Sequence, residues 1–347
     1  MISFLDIIAL GTICDAVPLK GINRLLVIKG IEVMKKQLNV GLRSLIDKSA
    51  IRGRISTYDL GFKLGPRINA AGRLGRSSFG TELLTATKTD DADRIADELD
   101  KFNQERRTIE SYVLDSADKQ VNEEKLNKKL LVVYGEDWHE GVIGIIASRL
   151  KDKYHRPTIA FAQVDDGQEI KGSARSIKGF HIRDALDIVA TKNPGLIDKF
   201  GGHAMAAGLS LKKQNFELFK EAFLREASKL LNEELLESKI LTDGRVESKW
   251  LTLDTAKLIE AAGPWGQEFS EPLFDGKFFL VEYTKVGKNH LKMVLSSKED
   301  PEHFVDAIAF SVDEKDWPKE GSKEIEIAYR LEVNHFRGNA TLQLMVE

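Results

Sequence analysis

Apolar and polar positions follow three regimes along the chain. Residues 1–60 carry short apolar runs and a helix-like stretch around Leu25–Leu38 that ends near Gly41, the pattern of the tail of an α/β domain. Residues 56–87 alternate glycine motifs with short helical pieces. From Asp90 to about Glu124, Ile95, Leu99, Phe102, Ile109 and Val113 recur at three-, four- or seven-residue spacing, which predicts one long helix. Thr89 can cap its start, and Asp90, Asp91 and Asp93 complement the positive end of its dipole. At about 1.5 Å per residue, such a helix spans roughly 50 Å, enough to bridge two domains.

The second regime alternates strand and helix patterns. Leu130–Gly135 and Pro157–Ala162 read as buried strands, Gly141–Tyr154 and Ile182–Ala190 as helices, and Lys171–Ser176 as a strand entering a turn. Ala204–Leu211 reads as helix or strand after a glycine turn, and Phe216–Leu236 as one amphipathic helix. This alternation predicts an α/β domain. After Lys239 five strand-like runs follow: Phe278–Lys285, His290–Ser296, Val305–Ser311, Ile325–Val333 and Thr341–Val346. Turns at Gly287-Lys288-Asn289 and Arg337-Gly338-Asn339 join them, and the set suits a small Greek-key barrel of the OB type. The predicted fold class is therefore α/β and β, in four segments: 1–60, the end of an α/β domain; 61–127, a connector with the long helix; 128–236, an α/β domain; and 237–347, the barrel.

Composition narrows the class. With 347 residues, 42% hydrophobic and 30% charged, the chain is an ordinary globular protein of two or three domains. No apolar run approaches the roughly 18 residues of a membrane span, and the N-terminus makes a poor signal peptide, with Asp6 in its apolar stretch and no basic lead. A single cysteine, Cys14, excludes an internal disulfide framework and suits a reducing cytoplasm. It could be a soft ligand beside Asp15, or a small core residue. The net charge of −3 does not advertise a nucleic-acid binder, yet Arg67, Arg73, Arg76, Arg149, Arg156, Arg175 and Arg183 sit mostly in or beside glycine motifs. Phosphate contact needs such local clusters.

The chemistry concentrates in Lys199-Phe200-Gly201-Gly202-His203-Ala204-Met205-Ala206-Ala207-Gly208. The two glycines allow close backbone approach and positive φ, His203 can donate to an anion, and a helix starting behind them would aim free N–H groups outward. On the fragment alone, a tight turn with a solvent histidine is the better fit. Barrels of the OB type bind single strands by stacking bases on aromatics in a basic groove. Tyr283, Lys285, Lys288, His290, Lys292, His335, Phe336 and Arg337 are candidate contacts there, with core or rim as the competing role for the aromatics. Asp91 and Asp93 superficially offer paired carboxylates, but acids at a helix start explain them. His139 either lines a groove or caps a turn, and His139, His181 and His203 lack the spacing of a zinc site.

The Gly-Gly-His segment, Trp138–Arg149 and Lys171-Gly172-Ser173-Ala174-Arg175-Ser176 together resemble, in order and spacing, the DHHA1 domain of the DHH phosphoesterase superfamily. Ala9–Leu19, containing Asp15, resembles the last metal-binding motif of its DHH domain. Leu64-Gly65-Pro66-Arg67-Ile68-Asn69-Ala70-Ala71-Gly72-Arg73-Leu74-Gly75 resembles the connector motif of its single-stranded-DNA exonuclease branch. The resemblance implies that 1–60 is the end of a DHH domain and that the activity is 5′→3′ exonucleolytic hydrolysis of single-stranded DNA in recombination and repair. It implies two divalent cations, Mn²⁺ or Mg²⁺, with Asp15 as metal ligand and catalytic residue. Arg67, Asn69, Arg73, Ser173, Arg175, Gly201 and Gly202 would hold the strand, the Ser173–Arg175 region its 5′ phosphate, while His203 acts catalytically at the scissile phosphate. The superfamily's other metal aspartates come from three earlier motifs, and no Asp-His-His occurs here. The chain is therefore expected to be the C-terminal portion of a longer family member, inactive alone.

Two other readings compete. One is a strand-holding accessory fragment without catalysis. The other is a small-oligonucleotide or cyclic-dinucleotide phosphodiesterase, which the long helix and the barrel argue against. The implied partners are single-stranded DNA, a single-strand-binding protein and a RecQ-type helicase, with no membrane.

Overall fold

The computed structural model describes residues 4–36, 38–51, 53–123, 129–164, 167–287, 289–312, 317–318, 323–336 and 338–347. In chain order the elements are α1 (Leu5–Cys14), α2 (Ile22–Met34), α3 (Val40–Lys48), a π-helical turn at Asp59–Leu64, α4 (Gly65–Arg73), α5 (Ser78–Thr85) and α6 (Thr89–Glu123). Then come β1 (Leu131–Gly135), α7 (Glu140–Tyr154), β2 (Thr158–Gln163), β3 (Glu169–Arg175), α8 (Ile182–Lys192), β4 (Lys199–Gly202), β5 (Ala206–Lys212), α9 (Phe216–Ala227) and α10 (Glu233–Leu236). α11 (Leu253–Ala262) precedes the barrel strands β6 (Phe274–Val286), β7 (His290–Ser297), β8 (Phe304–Ala309), β9 (Glu324–Phe336) and β10 (Asn339–Val346).

The four sequence segments regroup into two compact units. Residues 1–39 and 51–65 join the C-terminal 240–347, while 40–50 join 66–239. In the second unit, α6 buries one stripe along its length, including Ile95, Leu99, Val113, Ala117 and Val121, as the predicted periodicity requires. Thr89 is its first residue rather than a cap, and its Oγ1 accepts from Arg43 at 3.1 Å. The predicted end at Glu124 lies outside the described residues.

The sheet of this unit has the order β1-β2-β3-β5-β4; β1 and β2 are parallel and the remaining pairs antiparallel. One face packs Leu131, Val133, Ala160 and Ala162 against α6 and α7 through Val113, Val142 and Ile146. The other packs Ile159, Phe161, Ala174 and Leu209 against Leu186, Val189, Phe219 and Phe223 of α8 and α9. The helix predicted over 216–236 stops at Ala227, passes through a 3₁₀ turn and restarts at Glu233. Leu231 turns into the core and Asn232 caps the new start by accepting from the Leu235 N–H at 2.8 Å.

In the first unit, β6–β10 form a closed barrel in the order β10-β8-β7-β6-β9, as the five runs predict. β6 is bulged between Leu280 and Glu282, so its second half, 281–286, lies exposed. α11 is an element that the alternation did not signal.

Candidate nucleic-acid interface

The Gly-Gly-His segment is a hairpin, not the entry to a helix. β4 pairs with β5, and the His203 N–H donates to the Ala206 carbonyl at 2.8 Å across the turn. Gly202 has φ +139, and a Cβ there would lie 2.4 Å from the Ala206 carbonyl oxygen, so both conformation and space exclude a side chain. The predicted helix N-terminus is absent, because Ala207, Leu209 and Leu211 alternate into the core with the period of a strand.

The register aligns three rows across β3, β5 and β4. Lys171, Ser210 and Lys199 form one row; Ser173, Gly208 and Gly201 the next; Arg175 and Ala206, with His203 at the hairpin, the last. With strands about 4.8 Å apart, each row spans roughly 10 Å. Within each strand these residues are two apart and share the outward face, since Ile170, Gly172 and Ala174 are buried between them. The result is a floor of small residues with cations at its margins. Lys171, Lys199 and Gly208 stand in the sequence motifs without a binding role given to them, and Ser210 lies outside those motifs. Their signal was the alternation itself, visible once 199–203 is read as a strand.

At the β3 side of this floor the electrostatics are unusual. Arg175 Nη1 donates to Ser173 Oγ at 3.1 Å and to the Ala174 carbonyl at 2.9 Å. Arg73, from the end of α4, donates through Nη1 to the Gly141 carbonyl at 3.1 Å. Among the described residues no carboxylate pairs with either guanidinium. Burial, and then the positive charge of Arg73, pull the Arg175 pKa below its ordinary value. α7 packs on the same face, close beside them: a Cβ on Gly144 would stand 3.0 Å from Arg175 Nη2 and 3.1 Å from Ser173 Oγ. Two uncompensated guanidiniums beside a hydroxyl suit an anion, and a guanidinium's planar fork matches phosphate. Arg106, Arg107 and Arg149 extend the positive field, partly neutralised by buried Glu110, which receives Arg106 at 2.7 Å and also holds Arg149.

Other predicted residues fall elsewhere. Arg67 is committed to α6: its Nε meets Asp100 Oδ1 at 2.8 Å with both side chains largely buried. Asn69 is exposed one turn before Arg73 on α4. His139 is a cap, its Nδ1 accepting from the Gly141 N–H at 3.0 Å, and His181 caps α8 in the same way. Asp91 and Asp93 are exposed in the first turns of α6. Asp15 stands exposed at the C-cap of α1, its N–H donating to the Gly11 carbonyl at 3.0 Å. Burial and the adjacent Asp15 push the Cys14 thiol up to about 11, and Sγ lies 3.6 Å from the Leu60 carbonyl, so Cys14 acts as a packed thiol. Among the described residues no three His, Cys, Asp or Glu side chains come together as a metal site. One carboxylate at Asp15 does not fit two divalent cations, which need several hard ligands each.

On the barrel, Tyr283 is exposed, Lys285 lies 4.7 Å from the Trp317 ring centroid and Lys292 faces Asp306 at 3.6 Å. His290 accepts through Nδ1 from the Ser311 N–H at 3.0 Å and meets Phe310 edge-on at 5.1 Å. His335 is exposed; Lys288, Arg337 and the Phe336 side chain lie outside the described residues.

Comparison with known proteins gives this arrangement a context. Residues 127–232 match the DHHA1 domain and 242–347 the RecJ OB domain. The chain is 44% identical over 351 residues to the single-stranded-DNA-specific exonuclease RecJ of Haemophilus influenzae, covering 99% of this chain and 61% of that protein. It is 42% identical over 355 residues to RecJ of Escherichia coli K12, covering 99% and 60%. The crystal structure of Thermus thermophilus RecJ in complex with Mg²⁺ superposes with a TM-score of 0.85 at 27% identity, over 99% of this chain and 52% of that one. The chain thus spans about three fifths of the length of these curated relatives. A DHHA1 domain is thus followed by a RecJ OB domain, and the chain is homologous to the RecJ proteins along 99% of its own length.

Proposed function

We propose that this chain is the strand-holding portion of a RecJ-type 5′→3′ single-stranded-DNA exonuclease. The observation that carries the reading is the uncompensated Arg73–Arg175 pair beside Ser173 at the edge of a small-residue floor. A terminal 5′ phosphate, with its extra negative charge, relieves the repulsion between the guanidiniums better than an internal diester does. The strand then crosses the floor toward Gly201 and His203, where the absence of side chains lets its backbone lie close. His203, exposed at the hairpin, touches the phosphate to be cleaved. Anchoring the end at a set distance from that phosphate makes the action exonucleolytic. Arg67 supports α4 through Asp100 rather than touching the strand.

Asp15 is proposed to supply one carboxylate to the Mn²⁺ or Mg²⁺ shell. A carboxylate at the negative end of α1 is electrostatically disfavoured, and a cation relieves it. Among the described residues no complete metal site is formed, and on this reading the chain alone binds strands without cleaving them. Action in DNA recombination and repair, in the cytoplasm and together with a single-strand-binding protein and a RecQ-type helicase, belongs to the same proposal. No helix among the described residues is long and apolar enough to cross a membrane.

The test is fluorescence anisotropy of short oligonucleotides with and without a 5′ phosphate. Ser173→Ala, Arg175→Ala and His203→Ala are each expected to weaken binding of the phosphorylated strand. Equal affinity for both strands in every protein would refute end anchoring.

A further inference from the structure

The segment Ala262–Phe269, between α11 and β6, grips the turn that carries Asp15. The Leu19 N–H donates to the Gln267 carbonyl at 2.8 Å, and Arg24 Nη2 donates to the carbonyls of Ala262 at 2.5 Å and Gly263 at 3.3 Å. The Arg24 guanidinium also lies 4.4 Å from the centroid of the Phe269 ring, which stacks on Trp265 at 5.1 Å. Thr57 Oγ1 donates to the Trp265 carbonyl at 2.8 Å. Gly266 and Phe269 exchange backbone hydrogen bonds of 2.9 and 3.0 Å, closing a tight loop. Leu19, fully buried, inserts against that loop: a Cβ on Gly266 would stand 2.7 Å from Leu19 Cδ1.

Asp15 is held from the other side as well. Cys14 is packed under Gly65, where a Cβ would lie 2.5 Å from its Sγ. Ala16 adopts φ +51, a conformation that a non-glycine residue keeps only when its surroundings impose it. The carboxylate therefore sits between two pinned points, Cys14 and Leu19.

We infer that Ala262–Phe269 is a positioning device for Asp15, with Arg24 and Gly266 fixing the Asp15–Leu19 turn to the loop that precedes the C-terminal barrel. The orientation of a carboxylate near one end of the chain then depends on a loop near the other. Neither Trp265 nor Phe269 belongs to the barrel core built on Phe278, Leu295 and Tyr329, so the grip serves the turn rather than the barrel. The consequence for hydrolysis rests on Asp15 being a metal ligand; the positioning itself does not.

Hydrogen–deuterium exchange on the full chain tests this. Arg24→Ala and Gly266→Val are each expected to raise exchange of the 11–20 segment at least about tenfold. Segments from β1 and β7, and affinity for a short 5′-phosphorylated strand, should stay within about twofold of wild type. Lys20→Ala, which removes the exposed pair with Glu268, should leave the turn within about twofold. A selectively labelled Asp15 carboxyl should give one ¹³C resonance in the wild type and a shifted or broadened one in both variants. Unchanged exchange and an unchanged resonance in both would overturn the inference, as would equal loss of protection in β7 and the turn. Should the turn loosen while Asp15→Asn in a metal-complete enzyme leaves cleavage intact, the positioning stands and the reading of Asp15 as ligand fails.

Discussion

On the face of the five-stranded sheet that also carries α7, Arg73 and Arg175 stand together with no carboxylate paired to either among the described residues, and the surface beside them is serine and glycine. On the barrel, cations are matched: Lys277 faces Glu326, Lys292 faces Asp306, Lys298 faces Glu324, Arg245 faces Glu299 and Arg330 faces Glu347. The contrast has a thermodynamic meaning. An anion arriving at the sheet relieves a repulsion already present, whereas at the barrel it must compete with resident carboxylates. What the barrel offers freely is apolar and aromatic surface, such as Tyr283 on the exposed half of β6. The proposed function therefore gives charge attraction to the sheet and stacking to the barrel.

The strongest attack on that division is Arg175→Ala. Loss of a charge-assisted contact should cost about 1.5–3 kcal/mol in affinity for a 5′-phosphorylated strand, with little change for an unphosphorylated one. Tyr283→Ala should cost about 1 kcal/mol, read by titration, and only on strands long enough to reach the barrel. Removing 240–347 altogether is a poorer test, because Leu19 and Arg24 lose their supports with it. Gly144→Ala sharpens the sheet side: a new methyl 3.0 Å from Arg175 Nη2 should push that guanidinium off its rotamer, at about 0.5–1.5 kcal/mol in phosphate binding. Lys199→Ala should change affinity least and lower the salt slope of single-strand binding by about 0.7.

Away from both regions, Glu226 offers a pH test of charge pairing as a stabilising device. Hydrogen bonds from Lys192, then Lys229 and Arg225, bring its carboxyl down from 4.5 to about 2. A depressed carboxylate pKa adds stability above the unfolded value and loses it as pH falls through the folded one. The stability advantage of wild type over Glu226→Gln, followed by thermal melts, should be full above about pH 5 and fade toward pH 2.

Much of this was legible in sequence where one period dominates. The stripe of Ile95, Leu99 and Val113 declared α6, and five alternating runs declared the barrel. The glycine motifs named Ser173, Arg175 and Gly201–His203, and the register brings Ser173, Arg175, Gly201 and His203 to one face, with Gly202 opposite buried Ala207 between them. Three things were hidden. Small residues at 204–208 satisfy helix and strand patterns alike, so only pairing with β3 decided for the strand. Arg67 and Arg73 share a motif, and only the position of Asp100 sends the first into α6. The grip of Ala262–Phe269 on Leu19 joins the two ends of the chain, and no local pattern can announce such a contact.

The central claim is that the Arg73–Arg175 pair reads a terminal phosphate. Affinity should be measured for one short oligonucleotide, with and without its 5′ phosphate, against wild type, Arg175→Ala and Tyr283→Ala. The account predicts that wild type and Tyr283→Ala prefer the phosphorylated strand by about tenfold or more, a preference that Arg175→Ala abolishes. A wild type indifferent to the phosphate, or an Arg175→Ala protein that keeps the preference, would contradict it.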